Sequence, residues 1–369
     1  MTTKRSQPRE RTHVNLPRRG IFLAADLNAS EIPWQRPREA DRRPPALVGE
    51  DFLFNCFLCD EPLSEIRNTS NEDTHEHVFP QWLQDYFDIR NHRTVAQDPD
   101  SRTYDEFKIP ACARCNNTYL SQFETRMKNA LLGGFDRFKQ LRKSDIFLWC
   151  GKIYYGLIHG DVLPRDPYTR TPLDPVLPED LLKDIEFLKL LLQGIRKRVI
   201  ILESPYEPYS VLLFRLCSGR DPGYYFRVRQ ATPLPGIGLQ LGSIGIIVIG
   251  DDYGESELWF SEIFGNNLAG KTLHPVQFWE LVGRVLYRSY KCPVATSYSL
   301  VSGPQDMTLW LAPRPDEVLE FKPEEEASWI SEFTKEPGEV FLGPDKKART
   351  LLIKPDGTFN DLEFHDESQ

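Results

Sequence analysis

Two cysteine pairs restrict most strongly what this 369-residue chain can form. Cys56 and Cys59 make the first Cys-x-x-Cys pair, Cys112 and Cys115 make the second, and over fifty residues separate them. Two such pairs together supply the four thiolates of a tetrahedral site, whose usual ion is Zn²⁺. We therefore predict a structural zinc bound by these four cysteines, which closes a long loop that carries other chemistry.

The remaining cysteines, Cys150, Cys217 and Cys292, are scattered singly. This distribution indicates metal binding in a reducing compartment rather than a disulfide framework. No run of eighteen apolar residues is present, and the polar N-terminus lacks the apolar region of a signal peptide. We predict a soluble, cytoplasmic protein that does not enter a membrane.

The net charge of −9 is located almost entirely at the C-terminus. From Asp316 onward the chain has fifteen acidic and six basic side chains, so the rest of the chain is balanced. The first 45 residues have ten basic and five acidic side chains. Nucleic-acid binding depends on local basic patches, so the acidic total does not exclude a nucleic-acid partner. This basic segment is either a solvated arm or a DNA contact.

The patterning predicts an α+β protein with four parts: a flexible basic leader (1–45), a zinc-stapled module (46–145), a larger α+β domain with an antiparallel sheet (146–315) and an acidic, partly ordered tail (316–369). An apolar island at 21–25 is predicted to dock as a strand. Pro80 is suited to the first turn of a helix, and a helix with one apolar face is predicted from Asn116.

Further elements are predicted from hydrophobic runs. The runs at 146–150 and 152–158 indicate strands or a buried hinge. An amphipathic helix is predicted over 179–197, and a second one begins at His274-Pro275. The strand-like runs lie at 199–203, 210–217, 224–229, 244–249, 294–301 and 307–311.

Between the cysteine pairs lies the segment Glu76-His77-Val78-Phe79-Pro80, and Asn116 and Asn117 directly follow the second pair. Ser121 and Glu124 follow on the same helix. Together with the two Cys-x-x-Cys pairs, this pattern resembles the HNH endonuclease family, more narrowly its zinc-knuckle subgroup. The similarity covers about 70 residues of the chain.

The resemblance implies a ββα-metal fold, in which a hairpin with the histidine packs on a helix and one divalent cation lies between them. It also implies His77 as the general base, with Glu76 and Asn116 as further catalytic residues. Glu76, Asn117 and Glu124 are the implied ligands of a catalytic Mg²⁺ or Mn²⁺, with the choice between Asn116 and Asn117 left open. The residue types suit these roles, because a histidine can accept a proton from water at neutral pH and oxygen ligands suit Mg²⁺.

The sequence departs from the commoner family pattern at several positions. A glutamate precedes His77 where aspartate is frequent, and Glu124 stands where His or Asn is usual. The loop asparagine of the family has no clear equivalent, and Asn91 and His92 are poorly spaced for it. His75 lies on the same strand face as His77 by alternation and is a competing base.

Two classes of function follow. The first is a metal-dependent endonuclease that hydrolyses DNA phosphodiester bonds, in a restriction or anti-phage defence setting, with DNA as the main partner and RNA left open. The second is a zinc-stabilised nucleic-acid-binding or regulatory protein that does not cleave. For residues 146–369 the sequence leaves target recognition, homodimer formation, binding of a protein partner and gating by a ligand as alternatives.

Overall fold

A computed structural model describes residues 19–23, 55–63, 73–93, 102–162, 179–202, 207–217, 226–231, 236–292, 298–312 and 319–362. The strands are β1 (Gly20–Leu23), β2 (Asp73–His77), β3 (Lys108–Cys112), β4 (Arg198–Leu202), β5 (Tyr209–Leu216), β6 (Phe226–Ala231), β7 (Gly236–Leu241), β8 (Ile244–Gly250), β9 (Thr272–Leu273), β10 (Tyr298–Ser302) and β11 (Asp306–Leu311). The α-helices are α1 (Gln81–Tyr86), α2 (Ser121–Leu132), α3 (Phe135–Phe138), α4 (Lys143–Val162), α5 (Glu179–Leu192), α6 (Glu255–Phe260), α7 (Asn266–Leu268), α8 (Pro275–Lys291), α9 (Pro323–Thr334) and α10 (Gly338–Phe341). Short 3-10 helices span Tyr104–Glu106 and Gln193–Ile195, and π-helical turns span Cys115–Leu120 and Ser261–Gly265.

The segment between the cysteine pairs forms a two-stranded antiparallel hairpin of β2 and β3. His77 lies opposite Lys108 in the register, and Asp73 lies opposite Cys112. Helix α1 begins directly after Pro80, as the sequence predicts, and the 3-10 turn returns the chain to β3. The hairpin therefore brings the strand with His77 against the strand that ends at the second cysteine pair.

The helix predicted after the second cysteine pair is present, but it begins with the π-helical turn Cys115–Leu120 and continues as α2. The predicted apolar face is confirmed, because Phe123, Met127 and Leu131 are buried. A π-helical turn holds more residues than an α-helical turn. Consequently, side chains on either side of this turn do not keep the angular relation of a regular α-helix.

The prediction of strands or a hinge over 146–158 is wrong, because this segment is the middle of the 20-residue helix α4. The helix is buried on nearly all sides, so its apolar residues show no one-sided period. A continuous apolar run of this kind can be read as two buried strands. Helix α4 is important for the site, because it packs against β3 and contains the buried Lys152.

Two larger sheets follow. The five-stranded sheet has the order β6-β7-β8-β5-β9 and is antiparallel except for the pair β5–β9. The four-stranded sheet has the order β1-β4-β11-β10, and β4 pairs in parallel with both β1 and β11. The mixed fold agrees with the predicted α+β class, but an antiparallel description holds only for the first of these sheets. The predicted docking of the apolar island is confirmed for residues 21–23, because β1 is an edge strand of the second sheet, and residues 24 and 25 lie outside the described residues.

Sequence patterning misses β7, whose glycines resemble a loop. Helix α8 packs on the five-stranded sheet that contains β7, and a Cβ atom at Gly238 would lie only 2.7 Å from Val282 of the helix. Glycine therefore permits close packing of the helix on the strand. Helix α8 begins after His274, as predicted, and the His274 ring accepts a hydrogen bond from Val276 N at 3.2 Å.

Part of the acidic tail is ordered, because α9 packs on α8, α10 packs on α9, and Gln277 of α8 binds the backbone of the segment 351–360. Arg284 of α8 pairs with Glu326 at 2.6 Å, and Gln277 donates to the carbonyl of Leu351 at 2.9 Å. Most of the basic leader lies outside the described residues.

One cluster of buried side chains extends from the cysteine module through α4 into both larger sheets. The predicted division near residue 145 thus falls inside a continuous core, and the three domain boundaries stay predictions. Among the helices that the structure describes, none has the length and apolar character needed to cross a membrane.

Candidate metal centre and active site

The four predicted zinc ligands come together. The Sγ atoms of Cys56, Cys59, Cys112 and Cys115 all lie within 4.8 Å of one another, and those of Cys59 and Cys112 are 3.7 Å apart. A tetrahedral site with Zn–S distances of about 2.3 Å requires sulfur separations of about 3.8 Å. All four cysteines are free thiols rather than disulfides. The arrangement can hold a metal ion such as Zn²⁺.

Backbone geometry holds each pair in place. The first pair lies in a turn in which Asp60 N donates to the carbonyl of Cys56 at 2.9 Å, and Phe57 N donates to Pro110 of β3 at 3.0 Å. In the second pair, Cys115 N donates to the Sγ atom of Cys112 at 3.4 Å. The first pair is thus attached to the hairpin before any metal is considered.

Without a metal, the sulfur atoms of the cluster share their protons unequally. Hydrogen bonds from the thiols of Cys115 and Cys59 lower the pKa of Cys56, and the hydrogen bond to Cys56 raises the pKa of Cys115. Soft thiolate ligands select zinc over the hard cations Mg²⁺ and Ca²⁺. The donor chemistry and the spacing therefore both fit a structural Zn²⁺.

The two predicted carboxylate ligands also come together, but a lysine lies between them. Glu76 of β2 and Glu124 of α2 are buried, and the side chain of Lys152 is 0% exposed. The Lys152 Nζ atom lies 2.6 Å from an oxygen of Glu76 and 2.6 Å from Oε1 of Glu124. It also donates to the carbonyl of His77 at 3.3 Å. The ammonium thus makes three hydrogen bonds.

The second oxygen of Glu124 has partners as well. Its Oε2 atom accepts hydrogen bonds from the indole N–H groups of Trp82 at 3.2 Å and Trp149 at 3.1 Å. The two indole rings stack with centroids 6.2 Å apart. Both oxygens of Glu124 are therefore already bound by donors from the protein.

Glu76, Lys152 and Glu124 form a buried charged triad, in which burial and charge shift the pKa values in opposite directions. Burial lowers the pKa of Lys152, but the carboxylates of Glu124 and Glu76 outweigh that effect, so the pKa is raised overall. Burial raises the pKa of Glu124, and Lys152 partly offsets the increase. Lys152 is consequently a charged ammonium that supplies the positive charge in this part of the core.

The ligand set implied for a catalytic Mg²⁺ or Mn²⁺ does not fit this arrangement. Glu76 and Glu124 are bound to Lys152, and Asn117 is exposed whereas Glu124 is buried. The π-helical turn changes the seven-residue alignment that the sequence predicts between Asn117 and Glu124. Asn116 is half-buried on the same turn. In the part of the chain that the structure describes, only the cysteines form a group of three or more His, Cys, Asp or Glu side chains placed to hold a metal.

His77 faces away from the triad. Alternation along β2 places His75 and His77 on one accessible face, as predicted, and places Glu76 on the opposite, buried face. The His77 Nε2 atom lies 3.3 Å from the Oδ1 atom of Asp105, and Arg90 lies 3.5 Å from the same oxygen. Burial lowers the pKa of His77, and the positive charge of Lys108 lowers it further against the effect of Asp105. The imidazole is therefore neutral at neutral pH.

Asp105 and Lys152 were missed by the sequence analysis. Asp105 lies on the 3-10 turn before β3, which Thr103 and Glu106 close with reciprocal hydrogen bonds. A loop carboxylate has no periodicity that would reveal this position. Lys152 did give a signal, since it is a single charged residue within a long apolar run. Asn91 and His92 lie on a turn close to Asp105 in space, and His92 is exposed.

Comparison of the chain with models of known protein families found no match, and comparisons with curated proteins and with solved structures found none either. The HNH resemblance therefore rests on the motif residues.

Proposed function

We propose that the protein is an HNH-type endonuclease that hydrolyses phosphodiester bonds of DNA, with His77 as the general base. The observation that supports this proposal is the hairpin β2–β3, stapled to the following helix by the cysteine cluster, with a neutral His77 on its accessible face beside Asp105. A neutral imidazole can accept a proton from an attacking water.

The contact with Asp105 gives His77 a defined role. The Asp105 Oδ1 atom lies 3.3 Å from Nε2 without a hydrogen bond to it, so the negative charge of the carboxylate favours the tautomer with hydrogen on Nε2. Nδ1 is then the nitrogen that accepts the proton from water. Arg90 and Lys108 are cations close to the ring and can attract a phosphate. Asp105 is thus a positioning residue and His77 the base.

The resemblance implies Mg²⁺ or Mn²⁺ as the catalytic cation. The residues implied to bind it, Glu76, Asn117 and Glu124, do not fit that role, and no step is assigned to an ion there. Zn²⁺ on the four cysteines is structural in this proposal. We further propose that the protein acts in restriction or anti-phage defence. Residues 146–369 then serve in target recognition, partner binding or dimerisation.

Plasmid nicking by the zinc-loaded full chain tests the proposal, with Mg²⁺ or Mn²⁺ added and in a parallel reaction without either. We expect His77→Ala to lower the rate of nicking by a factor on the order of 10²–10⁴, because that is the usual contribution of a general base. His75→Ala is the matched control on the same strand face and should leave the rate unchanged. Asp105→Asn should reduce the rate and change its pH profile. Equal nicking by wild type and His77→Ala, or no nicking under any condition, would refute the role of His77.

A second candidate function is supported by Lys152. A lysine that already occupies the implied metal ligands Glu76 and Glu124 favours a zinc-stabilised nucleic-acid-binding protein that does not cleave. In that case the wild type and His77→Ala would bind DNA with equal affinity and neither would nick it.

A further inference from the structure

A small cavity of about 180 Å³ lies on the side of α2 next to the edge strand β1, the start of α4 and the 3-10 turn Gln193–Ile195. It is not part of the His77 site. Its lining includes Arg19, Arg126, Arg142, Asp145 and the rings of Tyr119 and Phe123. Three arginines and one carboxylate are therefore the charged groups of this cavity.

The single carboxylate is used internally. Asp145 is buried and receives two hydrogen bonds from Arg142, at 2.7 and 3.0 Å. Arg126 approaches the same carboxylate more loosely, at 3.5 Å. One negative charge thus balances one of three positive charges, and the lining keeps a surplus of two positive charges.

The guanidinium groups are held in place by their neighbours. Arg19 lies over the ring of Tyr119 at 4.6 Å, and Arg126 lies over the ring of Phe123 at 5.3 Å. Arg142 donates to the carbonyl of Arg19 at 3.3 Å. Stacking and hydrogen bonds reduce the side-chain entropy that is lost when an anion binds.

The backbone of β1 allows this arrangement only with glycine. Gly20 has a φ of +129°, and a Cβ atom there would lie 2.9 Å from the Arg142 Nη1 atom. A larger residue would therefore be strained and would displace the guanidinium. The close approach of Arg142 to the edge strand depends on this position.

We propose that this arginine pocket is a binding site for a phosphate group. Planar guanidinium forks match phosphate oxygens, and charge-assisted hydrogen bonds to phosphate are among the strongest in proteins. The phosphate belongs either to a nucleic-acid backbone or to a free phosphorylated molecule. The proposal does not depend on cleavage, because neither His77 nor Asp105 belongs to the lining of this pocket.

Titration calorimetry on the zinc-loaded full chain, with no Mg²⁺ or Mn²⁺ added, tests the pocket. The probes are inorganic phosphate, a nucleoside 5′-monophosphate and a single-stranded oligonucleotide. We expect Arg19→Ala and Arg126→Ala each to weaken binding about tenfold or more, the effect of losing one charge-assisted contact. The matched control is Arg288→Ala, because Arg288 also stacks on aromatic rings, at 5.4 Å from Trp259 and 5.2 Å from Phe321, but lies outside this lining.

The three probes distinguish the sources of the phosphate. Sensitivity of oligonucleotide binding alone to the arginine variants indicates a backbone phosphate. Sensitivity of inorganic phosphate or nucleotide binding indicates a free phosphorylated ligand. Absence of binding for all three probes, or equal effects of Arg19→Ala and Arg288→Ala, overturns the proposal. A melting curve of each variant checks whether the fold is retained. A failed nicking assay leaves these results unaffected, so the two proposals fail separately.

Discussion

The cysteine cluster and the Glu76–Glu124 carboxylate pair are both buried groups of anionic ligands, yet they differ in where their positive charge comes from. The Sγ atoms of the four cysteines all lie within 4.8 Å of one another, a spacing that suits a tetrahedral metal. The two carboxylates receive the ammonium of Lys152 at 2.6 Å on each side. The first cluster can bind a metal ion from outside, whereas the second receives its positive charge from Lys152 of the protein itself.

This difference shows that ligand type and spacing alone do not define a metal site. Buried charges must be paired, and either a metal or a lysine can meet that requirement. The deciding residue for the carboxylates comes from α4, which lies outside the motif. Four predictions test this comparison, in order of decreasing effect.

Loss of the zinc site should have the largest effect. Cys112→Ser removes one of four ligands, and structural zinc contributes about 10–16 kcal/mol in zinc-finger peptides. We expect the variant to purify without zinc and to lose the cooperative unfolding of the hairpin module. Metal analysis and protease sensitivity within residues 73–132 measure this. Cys217→Ser, outside the cluster, is the control and should retain zinc. A normal melting curve for Cys112→Ser would refute the structural role.

Replacement of Lys152 should have the next largest effect. Lys152→Met leaves two buried carboxylates without a cation, which costs about 3–5 kcal/mol. Chemical denaturation measures the loss, and Lys128→Met on the exposed face of α2 is the control. Adding Glu76→Gln and Glu124→Gln to Lys152→Met should restore part of the stability, because no charge is then buried. If the triple variant is no more stable than Lys152→Met, the ion-pair account is wrong.

The stability of Lys152→Met relative to wild type should change with pH in a defined direction. Burial and Glu76 raise the pKa of Glu124, and Lys152→Met removes the group that opposes this increase. A carboxyl whose pKa is raised in the folded state binds more protons there than in the unfolded chain, so stability falls as pH rises through the raised value. The deficit of Lys152→Met relative to wild type should therefore be larger at about pH 8 than at about pH 5.5. A deficit that grows on acidification would contradict this sign.

The smallest effect is expected from the indole donors to Glu124. Trp149→Phe removes a hydrogen bond to a buried carboxylate and should cost about 1.5–3 kcal/mol. Trp82→Phe removes the longer bond of a less buried ring and should cost less. The denaturant midpoints of the two variants show which substitution costs more stability. A larger loss for Trp82→Phe would mean that packing, rather than the hydrogen bond to Glu124, determines the cost.

Much of the architecture around the site follows from local sequence signals. The Cys-x-x-Cys spacing predicts the cysteine cluster, and the apolar spacing from Leu120 to Leu131 predicts the helix after it. The apolar island is correctly expected to dock as a strand over residues 21–23. These features depend on near neighbours in sequence, which patterning detects well.

The remainder depends on contacts between distant segments. Helix α4 is buried on nearly all sides and so lacks the one-sided period of an amphipathic helix, and the π-helical turn at Cys115–Leu120 alters the alignment of Asn117 with Glu124. Lys152 lies 28 residues from Glu124 and 76 from Glu76, so no motif spacing connects them. The sequence thus predicts the ligands of both clusters but not the cation of the second.

Binding of Mn²⁺ to the zinc-loaded protein, followed by electron paramagnetic resonance, tests the central comparison most directly. If Lys152 takes the place of a metal between the carboxylates, the wild type and Glu124→Gln will show the same weak uptake of Mn²⁺, and each will retain one zinc ion on the cysteines. A folded Lys152→Ala variant will then gain a Mn²⁺ site that Glu124→Gln removes again. Binding of one Mn²⁺ by the wild type that is lost in Glu124→Gln would contradict the account.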